Sequence, residues 1–64
     1  LSKYIVASYM NHTGTVDQKI IHADTDFDAV VNYLGTKPPG IATLDKLLEW
    51  CTDQDIAINF IEIN

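Results

Sequence analysis

The chain has 64 residues and a formal charge of −5, from four lysines, no arginine and nine acidic side chains. That length allows one domain and no second core, and a hydrophobic share of 47% is too high for a disordered tail. Acidity without arginine argues against direct nucleic-acid binding, because phosphate backbones are held mainly by Lys and Arg; a protein with a basic surface is the more natural partner.

Residues 3–10, Lys-Tyr-Ile-Val-Ala-Ser-Tyr-Met, are rich in β-branched and aromatic types. Their apolar groups fall on both parities, which predicts a central strand with a neighbour on each side. Asn11-His12-Thr13-Gly14 reads as a turn, with Gly14 able to take positive φ. Residues 15–22 alternate, with Val16, Ile20 and, less cleanly, Gln18 facing one way and Asp17 and Lys19 the other. They predict a half-exposed partner strand and a hairpin.

Thr25 or Asp24 can cap a following helix, and Asp26 and Asp28 sit where the helix dipole favours negative charge. Phe27, Val30, Val31 and Leu34 recur at i, i+3, i+4 and i+7, the stripe of a half-buried helix, and Gly35 is a natural stop. Thr36-Lys37-Pro38-Pro39-Gly40 reads as a stiff connector. Thr43 caps a second helix, which repeats the stripe in Leu44, Leu47, Leu48 and Cys51 and runs to about residue 53. Residues 56–63 predict a final strand.

The expected fold is therefore α+β, β-β-α-α-β, a single domain over residues 1–64. Its three-stranded sheet has the order 2-1-3, with two helices packed on one face. The last strand is expected beside the first and parallel to it, after a right-handed two-helix crossover. Which parity faces the helices depends on the hairpin register, which a four-residue turn leaves open; Ile5, Ala7, Tyr9, Val16 and Ile20 are expected under the helices. Tyr4, Val6, Met10 and Ile21 would then form a partly apolar open face suited to self-association.

A domain this small usually needs a staple or a partner. Cys51 alone cannot form an internal disulfide, and Cys51, His12 and His22 do not make a four-ligand zinc set. Association remains, so a homodimer is expected. The lone thiol favours a reducing compartment, and Leu1-Ser2-Lys3-Tyr4 lacks a charged-then-apolar signal pattern. A cytoplasmic location is the expectation. No apolar run approaches the ~20 residues of a membrane span.

Candidate chemistry is sparse. Cys51 lies on an apolar helix stripe, where a thiol acts as a small hydrophobe rather than a nucleophile. His12 and His22 have no metal-binding spacing, and capping explains Asp24, Asp26 and Asp28. No glycine-rich phosphate loop is present. Asn11-His12-Thr13 fits a glycosylation acceptor by letter only. The sequence thus points to no metal, no cofactor and no enzyme. An enzyme or ligand binder would need a pocket, for instance one lined by His22, Cys51 and an aspartate.

The unusual pattern is in the second helix. Asp45, Glu49 and Asp53 stand at i, i+4 and i+8 on one face, where like charges destabilise an isolated helix by roughly 0.2–0.5 kcal/mol per pair. Asp53 also meets the unfavourable end of the dipole, and Asp55 extends the patch. Successive charges are about 6 Å apart at ~1.5 Å rise per residue, near the spacing of phosphates along a nucleic-acid strand. Such a face would suit a basic groove on another protein, with Trp50 beside it as a contact anchor; the plainer reading is a solvated face that keeps a small protein soluble.

In its brevity, its Ser2-Lys3-Tyr4-Ile5-Val6 strand start, its hairpin-plus-helices layout and its negative charge, the whole chain resembles the small acidic orphan proteins that bacteriophages encode. The resemblance implies a protein that binds and inhibits or redirects a host protein, in some cases by imitating DNA. It transfers no catalytic or binding residues. The alternative is an assembly subunit of a homo-oligomer in which the charge serves only solvation.

Overall fold

The computed structural model describes residues 1–63. The elements are β1 (Ser2–Met10), β2 (Thr15–Ala23), α1 (Asp26–Leu34), α2 (Leu44–Asp53) and β3 (Ile56–Ile63). The sheet order is β2-β1-β3, with β1 central.

The local signals act as expected. Gly14, at φ +71°, closes the hairpin loop, and its N–H donates to the Met10 carbonyl at 2.8 Å. Thr25 caps α1, its hydroxyl accepting from the Asp28 N–H at 3.1 Å, and Thr43 caps α2 by accepting from Lys46 at 3.3 Å. Gly35 ends α1 in the left-handed region, at φ +76°, and donates to the Val31 carbonyl, a conformation that costs a residue with a Cβ.

Two expectations are corrected. First, β3 is antiparallel to β1, not parallel: Met10 pairs with Ile56 and Lys3 with Ile63. The cause is where α2 ends. The Asn11 N–H, in the hairpin turn, donates to the Asp55 carbonyl at 3.0 Å, so the chain leaves α2 beside the C-terminal end of β1. From there β3 can only run back along it.

Second, the helices cover the opposite face. The hairpin pairs Ile5 with Ile20, Tyr9 with Val16 and Tyr4 with Ile21, and Tyr4 and Val6 are buried while Tyr9, Val16 and Ile20 are exposed. Tyr4 and Val6 form the core with Ala23 and Ala29, packed by Ile21, Tyr33, Ile58 and Phe60. The third strand adds to both faces. It sets Phe60 opposite Val6 on one face and Asn59 opposite Ala7 on the other, where β2 adds Gln18. The first face half-buries an aromatic ring, and its charged members, Asp17, Lys19 and Glu62, lie on the two edge strands and stay exposed.

Helix α1 lies over β2 and β1, and α2 over β3. Leu47 and Cys51 of α2 and Val30 of α1 are fully buried. The thinnest dimension is 16 Å, which is one sheet and one helix layer. Ser8 and Tyr33, polar groups on the covered side, satisfy each other through a 2.7 Å hydrogen bond between their hydroxyls. Burial raises the Tyr4 phenol above its ordinary pKa, and the carboxylates of Glu62 and Asp26 add to the effect.

Candidate protein-binding surface

Helix α2 turns Leu47 and Cys51 fully inward and half-buries Leu44 and Leu48. A turn of 3.6 residues then points the opposite side at solvent. Asp45, Lys46, Glu49, Thr52 and Asp53 are all exposed there. Asp45, Glu49 and Asp53 thus lie along one outer face. The Lys46 ammonium reaches Glu49 at 4.0 Å, with both side chains more than two-thirds exposed. A pair that long and that wet is weak, so it leaves the field of the three carboxylates largely in place.

Asp55 lies apart from the row. It takes φ +62° in the turn between α2 and β3, and its carboxylate meets His12 Nε2 at 2.8 Å. With the Asn11–Asp55 backbone bond, this contact ties the hairpin turn to the end of α2. Trp50 is half-buried and sits about 100° round the helix from Glu49, on the flank beyond Lys46. It borders Asp53 and is remote from Asp45 on the helix circumference.

The other sequence candidates are dispersed. Cys51 is fully buried, and burial raises its thiol pKa. His22 belongs to the uncovered sheet face, so no pocket joins it to Cys51. Asp24 lies 3.9 Å from the N-terminal ammonium, and Asp26 accepts from the Phe27 N–H at 2.8 Å. Among the described residues no three His, Cys, Asp or Glu side chains are grouped as metal ligands, and no helix is long and apolar enough to cross a membrane.

The proposed self-association set is split by the change of face. Tyr4 and Val6 are core residues, Ile21 is half-buried against them, and Met10 is 40% exposed at the rim of a groove. That groove, about 370 Å³, opens between the hairpin end of the sheet and the C-terminal end of α1. Ser8, Met10, Asp17, Tyr33 and Ile56 line it. Sequence reading missed it, although Ser8 within an apolar strand and Tyr33 off the main helix stripe were its signals.

The face left open carries Ile5, Ala7 and Tyr9 of β1, Val16 and Ile20 of β2, and Ile61 and Ile63 of β3. Ile20 is 59% exposed and Ile61 61%. On this face, Ile5, Ala7, Tyr9, Val16 and Ile20 are the residues expected from the sequence to lie under the helices.

No protein-family model, curated protein or solved structure matches the chain.

Proposed function

We propose that this is a non-enzymatic binding protein whose outer α2 face docks into a basic surface on a partner protein and thereby modulates or inhibits it. The observation that carries the reading is the exposed row Asp45, Glu49, Asp53, weakly countered by Lys46. The row's spacing along the helix is about 6 Å, which suits a groove that ordinarily holds a phosphate backbone; on this reading the helix imitates DNA. Trp50 contributes apolar contact at the border of the row. Asp55 adds charge at the helix end while its His12 contact fixes the turn. Complementary fields of this kind set the rate and specificity of encounter more than raw affinity.

The test is charge reversal. Proteins retained from the native host's lysate by the unaltered chain should be lost when Asp45, Glu49 and Asp53 are all changed to Lys. Reversal of Asp17, Asp24 and Glu62 shifts net charge equally and should leave retention intact. Equal retention by both variants removes the acidic face from the account; equal loss in both reduces it to net charge.

A second reading, an assembly subunit of a homo-oligomer, is favoured by the uncovered apolar sheet face.

A further inference from the structure

We propose that the open sheet face is the interface of a homodimer, in which two copies pack sheet against sheet across a two-fold axis perpendicular to their strands. Cross-strand pairing sorts this face into four rows. Lys3 stands between His22 and Ile63, Ile5 between Ile20 and Ile61, Ala7 between Gln18 and Asn59, and Tyr9 between Val16 and Ala57. The second row is a ridge of three isoleucines. The third is a valley at its centre, where Ala7 stands between the exposed amides of Gln18 and Asn59; a shallow depression of about 150 Å³ lies there, lined by Ile5, Ala7, Asn59, Phe60 and Ile61.

A ridge beside a valley is self-complementary. Let the two-fold axis lie in the interface, run along the rows and pass between the second and third. Ile5 of each copy then sits above the partner's Ala7, with Ile20 and Ile61 beside the partner's Gln18 and the partner's Asn59, whose amide ends stay at the wet rim of the edge strands. The same rotation brings the Lys3 row over the Tyr9 row, where an ammonium can approach a ring face. An isologous contact requires this kind of pairing, one patch meeting itself with its parts exchanged. Packed sheets sit about 10 Å apart and cross at about 30°, which keeps the two central rows in contact.

Charge selects a second copy as the occupant. None of the nine acidic residues belongs to these rows, whose only basic or imidazole groups are Lys3 and His22. The chain carries −5, so this face lets two copies meet with no carboxylate opposing another. A strongly basic partner finds no counter-charge on it. The area is sufficient for a modest dimer. Three strands about 4.8 Å apart and four rows about 6.8 Å apart project roughly 400 Å² per copy. Side-chain relief takes the pair to about 1,000 Å², the threshold of a specific interface. The product is a four-layer α-β-β-α sandwich that leaves both α2 outer faces free, so dimerisation and acidic docking are separable.

Sedimentation equilibrium of the full chain tests this. We expect a closed monomer–dimer equilibrium with a midpoint on the order of 10–100 μM, in keeping with the small area. Ile61→Lys alters an exposed position, so the fold should persist by circular dichroism while dimerisation weakens at least tenfold. Ala7→Leu is the discriminating variant. It adds apolar surface but fills the valley, so ridge-into-valley docking predicts at least tenfold weaker dimerisation, whereas non-specific apolar association predicts a gain. A monomer throughout about 1 μM to 1 mM, growth beyond the dimer, or a dimer unchanged or strengthened by Ala7→Leu overturns the proposal.

Discussion

The choice of covered face makes an inverted prediction: truncating the smaller side chain should cost more. Val6 is fully buried and Ile20 is 59% exposed, and they stand on adjacent strands with opposite orientation. Val6→Ala removes two methyl groups, about 1.6 kcal/mol at ~0.8 kcal/mol each. A void of roughly 50 Å³ that fails to collapse adds about 1.2 kcal/mol at ~24 cal/mol per Å³. The sum is about 2–3 kcal/mol, a fall in Tm of roughly 10–20 °C for a domain this small. Ile20→Ala removes three carbons, about 2.4 kcal/mol if fully buried, but the exposed fraction reduces this to about 1 kcal/mol and no closed cavity forms. Urea unfolding measures both, at dilutions where the chain is monomeric so that the dimer's mass-action term does not enter. The midpoints should separate by more than 1 kcal/mol equivalent at constant slope. If Ile20→Ala costs as much as Val6→Ala, the assignment of the core to the Tyr4–Val6 face is wrong.

Three further outcomes follow from named contacts. Thr25→Ala and Thr43→Ala each remove a helix cap and should cost about 1 kcal/mol apiece by urea unfolding, whereas the corresponding Ser variants should cost little; an Ala variant without effect would mean the caps contribute nothing. The folded chain holds Cys51 and Tyr4 above their ordinary pKa values of 9.0 and 10.0. The native state therefore keeps protons that the unfolded state releases, and stability present below these values should decline as pH rises past them. Thermal melts between about pH 8 and 11 should show the decline, and Cys51→Ala should flatten its first part; a constant Tm would contradict the burial of both groups. The Cys51 thiol should resist an aromatic disulfide reagent in the native chain and react at once in denaturant, because thiolate formation and access both require opening; fast native labelling would exclude a sealed α2 interface.

Much of the fold was legible because its signals are local. A capping hydroxyl, a left-handed glycine or a four-residue apolar stripe acts within one or two turns of chain. Hence Thr25, Thr43, Gly35 and the two helix stripes have the roles expected of them. The hairpin register was not legible in this way, since a four-residue turn leaves open which residues pair. The acidic row was legible too, because an exposed helix presents its residues at fixed angles.

The covered face, the direction of β3 and the open groove depended on residues distant in the chain. Both faces of β1 are apolar, so β1 by itself does not choose between them; Phe60, more than fifty positions from Val6, adds an aromatic ring to the face that became interior. Sequence periodicity determined the elements, their caps and the outward set of α2, because these follow from backbone geometry over a few residues. Tertiary structure alone decided which sheet face became interior and which way β3 runs, because those are set by where α2 ends and by which side chains β3, far along the chain, brings beside β1.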